Sequence, residues 1–188
     1  KTDKGSGKFS CEKTLRAISE NDPQLVYPYF DDVADLMDNP NSFIKWGAIT
    51  ILANLASVDK DHKFPLIYDK YFNLIRSDSM ITAATAAGNA WKVVLAYPEM
   101  EKDITERLLQ VEHLTYLNKG EVSPECQRIL CGHVMDCFDK YFDQSEGQQK
   151  ILEFVRGLTT SERKSVAAKA KKFLSRHLER NEATEPSR

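Results

Sequence analysis

Two threonine–asparagine pairs are the residues best suited to chemistry in this chain. Thr50 precedes Asn54 by four positions, and Thr85 precedes Asn89 by the same interval. On a helix that spacing sets each pair on one face. An asparagine amide both donates and accepts, so a stripe of such groups can hydrogen-bond an extended peptide backbone. Lys45, Trp46 and Lys92 flank the stripe, with Trp91 beside them, and Arg128 and Asp136 extend it further along the chain. Tryptophan and arginine are enriched at the energetic centres of protein interfaces. These residues predict a peptide-binding groove. A second reading stays open, in which the threonines and asparagines only satisfy polar groups between packed helices. The tryptophans, on helices this apolar, read more readily as core than as platforms.

No constellation suggests catalysis. Cys126, His133 and Cys137 fall near one helix face, but Cys126 would sit about 10 Å along the axis from His133, too far for one metal site. Nothing beside these thiols would stabilise a thiolate, so they are expected to be buried and inert. The chain lacks a glycine-rich phosphate loop, a convincing catalytic carboxylate pair and zinc-finger spacing. The expectation is a non-enzymatic protein with no cofactor and no metal.

Charge narrows the partners. The formal net charge of −2 over 188 residues provides no global basic field for nucleic acid. Asp31, Asp32, Asp35 and Asp38 form an acidic patch, without the spacing of a calcium loop, and are read as a solvated helix face. The last helix carries Arg163, Lys164, Lys169, Lys171, Lys172, Arg176 and Arg180. Its cations spread around the polar circumference, with no interleaved aromatics, and it is read as a solubilising cap. No apolar run reaches the ~18 residues of a membrane span. With four cysteines and no pairable geometry among the three on one helix, a reduced, cytoplasmic protein is expected.

The elements that must carry these residues are helical. Residues 41–57 (NSFIKWGAITILANLAS) place Ile44, Ala48, Ile51, Leu52 and Leu55 at helical spacing, and the remaining surface is small or uncharged. Residues 79–96 (SMITAATAAGNAWKVVLA) repeat the plan. Both are apolar over too much circumference for one neighbour to cover, so helices must stack on each side. Further helices are predicted over 9–19, 23–37, 65–75, 99–117 and 124–142, and another, set off by Gly147, with Ile151, Leu152, Phe154, Val155 and Leu158. A last helix is predicted to start at a capping box formed by Thr159 and Glu162. No strand or hairpin is predicted. Residues 1–8 and 181–188 are expected to be disordered tails, the first of them trimmed or appended, and 9–180 one domain.

At its connectors the chain resembles HEAT and armadillo repeats, in which an aspartate-containing turn leads into a Val-Arg-x-x-Ala pattern. Asp38 and Pro40 precede Ile44-Lys45-Trp46-Gly47-Ala48, with lysine for arginine. Asp78 precedes Met80, Ile81 and Ala83 with the basic residue replaced, and residues 127–131 (QRILC) keep only the basic residue and a small last one. The likeness covers residues 22–158 and is nearest to small stand-alone HEAT-like proteins. It implies an all-α fold, an α-solenoid of about three to four helix pairs whose second helices line a concave face. On that face the stripe would bind a protein or peptide. The same resemblance offers an alternative, a nucleic-acid-binding enzyme like the DNA-alkylation-repair glycosylases. The near-neutral charge and the scarcity of Lys and Arg along the inner stripe weigh against it.

Overall fold

Local signals start the helices where the sequence predicts them. Asn41 accepts from the backbone N–H groups of Phe43 and Ile44 and so caps one helix, Ser79 accepts from Thr82 N–H to cap the next, and Ser123 caps a third ahead of Pro124. The structure is a computed structural model that describes residues 6–184, the side chains at 6, 8, 9 and 179–184 excepted. The expected tails at 1–5 and 185–188, with the side chains of Phe9 and Arg180, lie outside the described residues. Helix occupies 6–8 and 181–184.

The chain is all-α. Its helices are α1 (Ser6–Asn21), α2 (Pro23–Val26), α3 (Phe30–Asp35), α4 (Ser42–Leu55), α5 (Phe64–Asn73), α6 (Met80–Ala96), α7 (Glu101–Leu109), α8 (Pro124–Tyr141), α9 (Gln148–Leu158) and α10 (Lys164–Thr184). Among the described residues no helix is long and apolar enough to cross a membrane. The helix predicted over 23–37 is broken into α2, α3 and intervening 3-10 turns, because Pro28 removes a backbone donor in its middle.

Two other expectations are corrected. Leu117–Asn118 (β1) and Glu121–Val122 (β2) form a two-residue antiparallel hairpin where no strand was predicted. Its turn residues Lys119 and Gly120 have φ of 53° and 85°, the geometry that closes a tight hairpin. The capping box does not form. Thr159 Oγ1 donates to Arg156 O, and Glu162 pairs with Arg128, while α10 begins only at Lys164.

The helices form two rows. In one, α1 packs on α4, α4 on α6, α6 on α8 and α8 on α10. Ala83, Ala86, Ala87 and Ala90, all fully buried, give α6 the small surface that allows close approach on both sides. In the other row, ion pairs join successive segments: Lys63–Asp31 at 2.5 Å, Lys70–Asp38 at 2.7 Å, Arg107–Asp69 at 2.6 Å, and Lys150 with Glu106. These pairs span 32 to 44 residues, about one helix pair.

Buried carboxylates tie the loops between rows. Asp59, after α4, accepts from Tyr27 Oη and Tyr97 Oη, each at 2.6 Å, and from the N–H groups of Lys63 and Phe64. Burial alone would raise its pKa, but these donors together hold it below the ordinary carboxylate value. Glu101, 5% exposed, accepts from Thr105 Oγ1 at 2.7 Å and Ser145 Oγ at 2.5 Å, and Thr105 Oγ1 in turn contacts Tyr141 Oη at 2.8 Å.

Candidate interaction groove

The helical register delivers Asn54 to the side of α4 that meets α1, and Lys92 to the side of α6 that meets α4. Asn54 is 7% exposed and Ser19, near the end of α1, is fully buried. Asn54 Nδ2 donates to Ser19 Oγ at 2.9 Å, and Ser19 Oγ donates to Arg16 O at 2.7 Å. Lys92 Nζ donates to Asn54 Oδ1 at 2.6 Å and to Asn89 Oδ1 at 2.9 Å. Asn89 Nδ2 donates to Thr85 O at 2.9 Å and reaches Thr50 Oγ1 at 3.5 Å. A continuous polar strand of side chains therefore crosses three helices.

The threonines serve their own helices. Thr50 Oγ1 donates to Trp46 O at 3.1 Å and Thr85 Oγ1 to Ile81 O at 2.7 Å, the back-bond to the preceding turn that a helical threonine commonly makes. The asparagine NH2 groups are likewise taken internally. The stripe thus positions Lys92 and keeps its own amide donors engaged, instead of holding them out for a peptide backbone.

A groove of about 490 Å³ opens over this network. Asn54, Lys92 and Ser57 supply polar surface, Trp91 and Leu95 an apolar wall, and Glu20 an exposed carboxylate on the rim. Lys92 Nζ stands 5.7 Å from the Trp91 ring centroid, and Lys140 Nζ stands 5.8 Å from it, within range of cation–π attraction. Burial lowers the Lys92 pKa from its ordinary value, with Glu20 acting weakly the other way.

The remaining predicted residues fall elsewhere. Trp46 Nε1 donates to Thr82 Oγ1 at 3.0 Å, tying α4 to α6, and its ring borders a separate depression of about 150 Å³ with Thr50 and Phe43. Lys45 is half-buried on α4 and lines neither space. Arg128 pairs with Glu125 and Glu162, and Asp136 with Lys169 at 2.5 Å. Arg128 is absorbed between α8 and the turn before α10, and Asp136 in the α8–α10 contact, where it borders another cavity of about 310 Å³. Sequence reasoning missed Ser19 and Glu20. Their place depends on α1 docking against α4, and a single serine at a helix end carries no signal of that.

No metal-binding cluster assembles among the described residues. None of their His, Cys, Asp and Glu groups cluster in threes suited to an ion. Cys126, Cys131 and Cys137 are buried, and burial pushes the thiols of Cys131 and Cys137 up to about 12, far from a nucleophilic thiolate at neutral pH. No family model matches the chain, and no curated protein or solved structure matches it.

Proposed function

We propose that this chain is a non-catalytic protein-interaction module, a short HEAT-like α-solenoid of three to four helix pairs that binds a peptide segment of a cytoplasmic partner. The observation that carries the reading is the groove over α1, α4 and α6, in which a half-buried lysine and a tryptophan sit side by side. A charge, an amide and an aromatic wall converge there, the combination at which binding energy would concentrate. The solenoid reading is supported by the two rows of helices and by side-chain links that recur at one helix-pair spacing. Nucleic acid is disfavoured because cations of α10 and of the turn before it are already paired with α8: Arg163 with Glu125, Lys169 with Asp136 and Arg176 with Asp139.

Selection of a displayed random-peptide library on the folded protein tests the module. The expected result is a set of enriched peptides whose binding shifts the amide resonances of residues 53–57 and 91–96. Enriched peptides that leave those resonances unmoved would remove the groove, and salt-sensitive duplex DNA binding with no enriched peptide would replace the reading.

A further inference from the structure

The groove is charged in an unusual way for this molecule. Lys45 apart, the other half-buried cations meet carboxylates: Lys63 meets Asp31, Arg107 meets Asp69 and Asp103, Arg128 meets Glu125 and Glu162, Arg163 meets Glu125, and Lys169 meets Asp136. Lys92 instead meets two neutral amide oxygens, and no ion pair among the described residues includes it. An ammonium has three N–H donors, so two are fixed by Asn54 and Asn89 and one is left. Removing a cation from water without a counter-charge is costly, and a protein that holds one open in a groove has a place for an anion.

We infer that the groove takes a peptide segment through a carboxylate, seated on the third Nζ–H of Lys92, with an apolar neighbouring side chain against Trp91 and Leu95. This rests on the interaction-module reading and names its ligand class. One positive charge flanked by neutral amides matches a singly charged carboxylate. Asn54 is itself anchored by Ser19, so Nζ is held in place before the ligand arrives and little ordering remains to be done on binding. Glu20 on the rim sets a mild opposing field, which favours a ligand whose single carboxylate enters beside apolar groups over an acidic run.

The test is an NMR titration of isotope-labelled protein that follows the Trp91 indole and the Asn54 and Asn89 side-chain amides. The probes are acetyl-Leu-Glu-Leu-amide, acetyl-Leu-Gln-Leu-amide, and acetyl-Leu-Gln-Leu with a free C-terminus. A charge-assisted bond predicts about tenfold tighter binding for a carboxylate-bearing probe than for the neutral one, with the advantage shrinking as salt rises. The stronger of the two carboxylate probes tells a side-chain source from a chain terminus. Lys92→Gln should erase the advantage. So should Asn54→Asp, which supplies an internal counter-ion, keeps the groove floor polar and guards against a Lys92 variant that fails to fold. Glu20→Gln should strengthen both carboxylate probes. Equal affinity for all three probes overturns the carboxylate inference and leaves the module standing. Discrimination that survives Asn54→Asp overturns the assignment to Lys92. Binding by none of the three overturns the inference, and the library selection then decides separately whether the module reading falls with it.

Discussion

Tyr97 Oη donates to Asp59 Oδ2 at 2.6 Å across 38 residues, which fixes the end of α6 to the loop after α4. Tyr141, at the end of α8, reaches the loop after α6 through Thr105 and Glu101. Two successive helix ends are thus tied down by a buried carboxylate, Asp59 bonding Tyr97 directly and Glu101, the first residue of α7, reaching Tyr141 through Thr105.

Asp59 is expected to be a stability residue. Asparagine offers one acceptor oxygen where the carboxylate serves four donors, so Asp59→Asn should cost about 2–4 kcal/mol, read as a lower urea midpoint at unchanged slope. The folded pKa lies below the unfolded one. Its contribution is therefore complete above the unfolded value near pH 4 and is lost as pH falls through the folded value. Wild type should weaken on acidification below about pH 4, and Asp59→Asn should weaken less over that range. Parallel acid profiles would contradict this.

The tyrosines predict the alkaline limit. Burial, joined in most cases by carboxylate or thiol neighbours, raises the phenols of Tyr27, Tyr68, Tyr71, Tyr97, Tyr116 and Tyr141. Their stabilising contribution is present below the unfolded value of about 10 and is lost as pH rises through the folded values. Phenolate absorbance should therefore appear together with loss of helical circular dichroism. Smooth titration of these phenols in a chain that stays helical would refute it.

Thiol accessibility is sharply divided. Cys11 is exposed, while Cys126, Cys131 and Cys137 are buried. A chromogenic disulfide reagent in native buffer should modify one thiol per chain rapidly, and the other three only in denaturant. More than one fast thiol would place a helix-8 cysteine at the surface.

The proposed solenoid predicts the result of truncation. Helix α10 packs on α8 and α9, and its ion pairs reach Asp136 and Asp139, both on α8. Deleting residues 164–188 should lower stability and shift resonances in α8 and α9, but leave those of α1 and α4 in place. Global loss of dispersion would point to a single cooperative core instead.

Local chemistry alone determined much of this protein. The caps Asn41, Ser79 and Ser123, the prolines that follow or break helices, and the 3.6-residue apolar rhythm fixed nearly every helix, and the charge-poor surfaces of α4 and α6 announced that both are covered on two sides. The hairpin escaped notice because two-residue strands carry no alternation to read. The capping box failed because Glu162 gains more from Arg128, a residue 34 positions away. The site divides the same way. Periodicity could place Asn54 and Asn89 on matching faces, but only helix packing set Lys92 Nζ between their two oxygens and brought Ser19 beneath them, because hydrogen bonds across 35 to 38 residues depend on how helices approach and on nothing the neighbouring sequence encodes. Arg128 and Asp136, equally plausible from the sequence, were taken by other partners, Arg128 by Glu125 and Glu162 and Asp136 by Lys169 of α10, since a charge settles on a counter-ion that the fold brings near.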